Sequence, residues 1–419
     1  MRKQLFHFCT ISMSNSILNF KTPRVEVVDA LRGFAIMSIM LLHNIEHFDY
    51  YNFPEALPEW IKVLDKIIWE TLFFLFGGKS YAIFALLFGF SFYIQNDNQE
   101  KKGKDFRGRF LWRLLLLLGF GFVNTIFYEG DILMIYAVLG LTLIPVCKWN
   151  DKAVFITAVI LMLQPLEWIR YFYMLLHPEY VPLPNLSDSY FGMMGEYLKS
   201  NSFLDYAIGN LSIGRLASVF WSWENGRFFQ APALFMLGML VGRKQLFIPS
   251  TESNQFWKKA LQYAIVLFVP LFALKTFLPE MIERKATMNS LSVIITSCSN
   301  LTFLIVLVST FIILYQKESV HNIFSKLIPF GKMSLTNYIM QSIVGSFIYY
   351  RYGLGLVEYT GATYCLLIGI VLFVLQLSFC AWWLKKHKQG PLEYIWHKAT
   401  WISFSKKRNN FSGVAINKS

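Results

Sequence analysis

The first stretch able to do chemistry is Val28-Asp29-Ala30-Leu31-Arg32-Gly33-Phe34, followed by an apolar run and then Leu42-His43-Asn44-Ile45-Glu46-His47-Phe48. From Arg32 to His43, helical steps turn about 1100°, roughly 20° past three full turns, and rise about 16 Å. Both side chains therefore fall on one face, near opposite ends of a helix of membrane length. An imidazole titrates near neutral pH and serves as a general base. A guanidinium presents a planar fork suited to phosphate. His43 is the candidate base, Glu46 a companion carboxylate within one turn, and Arg32 a candidate anion ligand. The same residues also fit a plainer account, a snorkelling Arg and an interfacial His. His43-Asn44-Ile45-Glu46-His47 further carries the letters of an inverted zinc-peptidase motif, in which helical spacing would bring both imidazoles to one ion. That site needs another carboxylate and an open cleft, and no metal is expected.

Other polar groups interrupt apolar runs. Lys79 and Ser80 follow Gly77-Gly78 inside a long one, so Lys79 is expected to face the bundle interior or a polar cavity and to contact substrate. Arg109 and Arg113 close a basic loop that starts at Lys101 and are candidates for binding phosphate groups. Trp221-Ser222-Trp223-Glu224-Asn225-Gly226-Arg227 reads as an interfacial aromatic belt, with Trp223, Glu224 and Arg227 as a candidate acceptor rim. Ser334, Asn337, Tyr338 and Gln341 recur at helical spacing and form one polar stripe, either hydrogen-bonded between helices or lining a donor tunnel.

The elements that must position these groups follow from composition. Hydrophobic residues make up 55% of the 419 positions and charged ones only 16%, which excludes a soluble domain and a disordered chain. The apolar runs are continuous, unlike the alternating strands of a membrane barrel. The expected fold is all-α, a polytopic transmembrane bundle with ten spans near 28–46, 67–95, 110–128, 131–147, 153–175, 228–243, 257–277, 290–316, 333–350 and 362–385. The second is too long for one straight helix and should break at Gly77-Gly78. A net charge of +13 comes from basic clusters between spans, not from a nucleic-acid surface. Those clusters fall on one side when spans alternate, and Glu46, Asp49, Glu55, Glu129 and Asp131 fall on the other. This predicts that both termini are cytoplasmic. Residues 1–27 form an N-terminal cytoplasmic segment, 28–400 one membrane domain, and 401–419 a basic tail. Residues 176–227 make an external amphipathic cap. The five cysteines lack metal or redox spacing.

Three further stretches join the first as a recognisable set: Phe84-Ala85-Leu86-Leu87-Phe88-Gly89-Phe90, Gly331-Lys332-Met333-Ser334-Leu335-Thr336-Asn337-Tyr338-Ile339-Met340-Gln341-Ser342, and Gly390-Pro391-Leu392-Glu393-Tyr394-Ile395-Trp396. Together they resemble the YeiB-like bacterial membrane proteins, a family of unknown function, with the C-terminal portion of the likeness at about 228–400. The first span also resembles that of a wider transmembrane acyltransferase group with an Arg-x10-His motif, which includes heparan glucosaminide N-acetyltransferase. Arg32 and His43 match that spacing. Many YeiB-like relatives carry Asn where this chain has His43. The resemblance implies transfer of an acyl group from cytoplasmic acyl-CoA to a glycan hydroxyl or an amine at the outer face of the bacterial inner membrane. The alternatives are a transporter of a small polar or anionic solute, which the broken second span would serve, and a non-catalytic envelope component. The lipid bilayer is an expected partner, and the sequence sets no oligomeric state.

Overall fold

The computed structural model describes residues 25–51 and 54–402. The segment before residue 25 and the basic tail from residue 403 lie outside the described residues. Every expected span is helical, and no strand occurs among the described residues. α1 (Glu26–Ile45) is followed by α2 (Glu59–Phe76) and α3 (Ser80–Glu100), with the expected break at Gly77-Gly78-Lys79 between them. Next come α4 (Arg107–Thr125), α5 (Leu133–Leu139) and α6 (Leu143–Val146). α7 (Asp151–Met162) and α8 (Pro165–Leu176) make one stretch bent by 43°. The segment expected to form a cap is helical too, as α9 (Leu186–Leu198), α10 (Phe203–Gly209) and α11 (Arg215–Glu224). The chain continues through α12 (Arg227–Arg243), α13 (Thr251–Met281), α14 (Lys285–Tyr315), α15 (Glu318–Phe324) and α16 (Ile328–Lys332). It closes with α17 (Ser334–Tyr349), α18 (Ala362–Trp383) and α19 (Pro391–Thr400).

The ten stretches are not ten equal rods. Five qualify as spans by length and apolarity, counting α2 with α3, and six do if α7 and α8 are taken together. Of the remainder, α4 has the length but carries Arg107, Arg109 and Arg113, and the others are shorter. α13 shows what covers the outside of the bundle. Only 11% of its apolar window is buried, and Tyr263, Val266, Leu267 and Val269 are exposed. A face this apolar is stable against lipid and not against water.

α1 is the hub and packs against α2, α3, α14, α16, α17 and α18. Its crossing with α16 is close because both helices bring glycine to it. A Cβ on Gly33 would lie 2.3 Å from the Leu327 carbonyl oxygen, and one on Gly331 would lie 1.8 Å from that of Asp29. α3 and α12 cross the same way, since a Cβ on Gly89 would meet the Phe235 carbonyl oxygen at 1.9 Å and one on Gly238 that of Leu86 at 1.8 Å. Between apolar helices in lipid, such close approach replaces the hydrophobic drive as the source of packing energy.

Candidate functional site

The α1–α16 crossing fixes the first part of the site. Arg32 precedes Gly33 and Lys332 follows Gly331, so the crossing brings both cations to one cavity of about 530 Å³. Asp29, Arg32, Arg113, Lys332, Ser334 and Glu393 supply its polar wall. Phe84, Leu87, Phe88, Leu114, Leu117 and Leu133 supply an apolar interior, and Tyr136 and Tyr338 also line it. All four motif stretches, far apart in the chain, thus contribute to a single cavity.

Arg32, Arg113 and Glu393 are each held there by named partners. Arg32 donates from Nη1 to Asp29 Oδ1 and from Nη2 to Ser91 Oγ, both at 3.0 Å. The Arg113 guanidinium lies 4.2 Å from the Trp396 ring centre and donates to Thr400 Oγ1 at 3.3 Å. Arg109 turns away from the cavity and donates to the carbonyls of Thr400 at 2.7 Å and Ile402 at 2.9 Å. Glu393 is a cap supplied from a distance. Its Oε1 accepts from the backbone N–H of Leu335 at 2.7 Å and of Thr336 at 3.1 Å, and its Oε2 accepts from Thr336 Oγ1 at 2.6 Å. The carboxylate thereby satisfies the open N-terminus of α17.

The polar stripe of α17 divides. Ser334 and Tyr338 line the cavity. Asn337 turns to its neighbours, donating to the Phe330 carbonyl at 2.9 Å and accepting from Cys380 Sγ at 3.3 Å. Gln341 is buried, and neither amide atom has a hydrogen-bond partner among the described residues.

The His43 end is a separate chamber. The His43 ring lies 4.8 Å from Tyr128, 5.5 Å from Phe48 and 6.5 Å from Tyr338, centre to centre. Tyr338 thus touches the cavity on one side and His43 on the other. α1 ends at Ile45, and His47, Phe48 and Asp49 follow with φ of 50°, 54° and 71°. Three successive residues in the left-handed region cost about 1–2 kcal/mol each, a strain that marks functional turns. The turn carries Asp49 against Gly130, where an added Cβ would lie 2.5 Å from Asp49 Oδ2. Glu46 accepts from Tyr51 Oη at 3.2 Å. Burial pushes the Asp49 carboxyl up to about 6, against hydrogen bonds from Tyr128 and Tyr51 that hold it down. Glu129 is buried, and neither carboxylate oxygen has a hydrogen-bond partner among the described residues. Burial, and then the Asp49 charge, hold its pKa well above the ordinary carboxylate range.

The same turn separates the two imidazoles. His47 Nε2 lies 2.8 Å from the Thr360 carbonyl and 3.1 Å from Cys365 Sγ, away from His43. The helical spacing assumed for a shared ion stops at Ile45. Among the described residues no three His, Cys, Asp or Glu side chains group to hold a metal.

The remaining candidates lie elsewhere. Lys79 is buried and donates to the Phe74 carbonyl at 2.9 Å, at the open C-terminus of α2. Trp223 is part-exposed. Glu224 accepts from the N–H of Leu186 at 2.7 Å and from Ser187 Oγ, capping α9. Arg227 stacks over Tyr81, 3.9 Å from the ring centre. Glu224 and Arg227 thus turn to different partners. Sequence reasoning used Asp49 and Glu129 only as markers of one membrane side, placed Tyr338 only in the α17 stripe, and gave Tyr128 and Glu393 no role. Tyr338 and Glu393 sit in motif stretches, which was the available signal.

Comparison with known proteins agrees with the four stretches. Residues 241–403 match the family described as "Protein of unknown function (DUF418)". An uncharacterized protein YxaH of Bacillus subtilis is 26% identical over 94% of this chain and 98% of its own. An uncharacterized protein YeiB of Escherichia coli is 25% identical over 90% of this chain and 96% of its own. No solved structure matches the chain.

Proposed function

We propose that this chain, a helical membrane protein similar to YeiB, transfers an acyl group from cytoplasmic acyl-CoA to a hydroxyl or amine acceptor at the outer face of the bacterial inner membrane. One observation carries the reading. The cavity holds Arg32, Arg113 and Lys332 together with an apolar interior, and its wall at Tyr338 adjoins His43. A molecule with an anionic head and an acyl chain fits that polarity. Phosphates pair with the guanidinium and ammonium groups, and the chain lies along Leu87, Leu114 and Leu117. The thioester then points toward Tyr338. His43 removes the proton of the attacking acceptor, the acceptor oxygen or nitrogen bonds to the acyl carbon, and the carbon–sulfur bond breaks to release CoA. Asp49 and Glu46 line the acceptor side.

Thermal melting of the purified protein with and without acyl-CoA tests the binding half, because a ligand of the folded state raises the melting temperature. Release of free CoA in the presence of cell-envelope glycans tests the transfer. Protection by acyl-CoA with His43-dependent CoA release supports the reading. No protection at saturating acyl-CoA overturns it.

A further inference from the structure

Three helical stretches are interrupted in this bundle, and the interruptions meet. Each carries a residue in the left-handed region: Gly78 at φ 73° between α2 and α3, Gln164 at 57° between α7 and α8, and Gly226 at 69° between α11 and α12. The Gln164 side chain packs on Gly226, where an added Cβ would lie 2.6 Å from Oε1. Gln164 Nε2 donates to the Gly226 carbonyl and to Ser297 Oγ, both at 3.0 Å. Gln230 Nε2 donates to the same Ser297 Oγ at 2.7 Å, and Tyr81 Oη donates to Gln230 Oε1.

Two cations enter this junction. Lys79 is only 7% exposed and lies over the Phe74 and Phe303 rings, at 5.9 and 5.5 Å. Arg227 stacks on Tyr81 and donates to Gln230 Oε1 at 3.1 Å. The charged neighbours of Lys79 are Arg227 and Lys275 of α13, both of its own sign. None of the three forms a salt bridge among the described residues. α3 and α12 both begin here, so their N-terminal N–H groups add positive potential of the same sign. Like charges gathered in an apolar bundle are costly unless an anion joins them. Phe74 and Phe272, each 39% exposed, lie edge to face at 5.3 Å beside Phe268 and Phe303, so the junction opens sideways onto an aromatic, lipid-facing surface.

We propose that Lys79, Arg227 and Lys275 form an anion site for the phosphate or carboxylate head of an amphiphile, whose chain lies on Phe74, Phe268, Phe272 and Phe303. The site shares none of these residues with the Arg32 cavity and stands whether or not acyl transfer does. The shared chemistry is a phosphate-type head, and its source is either a bilayer lipid or a soluble anion.

The test uses the full chain in nanodiscs of phosphatidylcholine alone, of phosphatidylcholine with phosphatidylglycerol, and of phosphatidylcholine with added inorganic phosphate. Melting temperature and lipid retained in native mass spectrometry are read. Phosphatidylglycerol is expected to raise the melting temperature and to be retained. Lys275→Gln, at an exposed position, is expected to weaken retention by about tenfold, the worth of one charge-assisted contact. Arg227→Gln and Lys79→Met should remove it, with melting in pure phosphatidylcholine as the check on folding. A shift by inorganic phosphate that Lys275→Gln abolishes also supports the site, with a soluble ligand. Equal retention of both lipids with no phosphate shift overturns it, as does a preference unchanged in Lys275→Gln and Lys79→Met.

Discussion

The two ends of α1 differ in charge and in how that charge is satisfied. At the Arg32 end, Arg32 is paired with Asp29 and Ser91, and Arg113 is stacked on Trp396 and bonded to Thr400. At the His43 end the ionisable groups are mostly acidic, and Glu129 has no hydrogen-bond partner among the described residues. A held cation is preorganised for an anion and needs little rearrangement on binding. A buried carboxyl without a partner resists ionisation and so responds to protons. On the proposed reading, the contrast puts binding at one end and proton chemistry at the other, with Tyr338 between them.

The largest effect expected is at His43. His43→Asn should lower acyl-CoA turnover by about 10²–10⁴-fold, the usual worth of general-base catalysis, while acyl-CoA still raises the melting temperature. Loss of that protection as well would dissolve the separation between the ends. At the other end, Arg32→Lys should weaken CoA binding by about tenfold and leave turnover at saturation unchanged, because an ammonium cannot replace a planar fork held by two partners. An equal loss in a surface Lys→Ala variant would remove Arg32 from the donor cavity.

Two further substitutions separate packing and titration from chemistry. Gly331→Ala places a methyl against the Asp29 backbone and should destabilise the protein by about 1–3 kcal/mol in denaturant or thermal unfolding. A neutral result would show that the α1–α16 crossing is looser than its glycines require. The smallest effect concerns Asp49, whose folded pKa is raised to about 6. Between the ordinary carboxylate value and 6 the folded state binds more protons than the unfolded state, so stability falls as pH rises through that window. Glu46, Glu129, Tyr51 and Tyr128 also face Asp49. The measurement is therefore the difference in melting temperature against pH between wild type and Asp49→Asn, and the variant should show the shallower slope.

Much of this was legible in the chain. The helical class, the break at Gly77-Gly78 and the inward burial of Lys79 follow from hydropathy and glycine. The co-location of Arg32 with Ser334 was not derivable from periodicity, because it depends on two glycines meeting across roughly three hundred residues. The stripe on α17 was read as one surface, yet Asn337 serves α18 while Ser334 and Tyr338 face the cavity, since several neighbours surround a buried helix. The turn at His47 to Asp49 escaped because left-handed non-glycine residues leave no compositional mark, and it is this turn that places Asp49 and separates His47 from His43.

The cap that Glu393 places on α17 has a consequence for synthesis. A chain entering the bilayer from its N-terminus delivers α1, α3, α4 and α17 before residue 393 has been made. Until then the first turn of α17 lacks the carboxylate that satisfies its N–H groups, and the cavity lacks the wall of Trp396. Membrane insertion and completion of the cavity are thus separate events in time. A chain released before Glu393 would carry the helices through α18 and still lack one wall of the cavity, so α19 is the element that completes it.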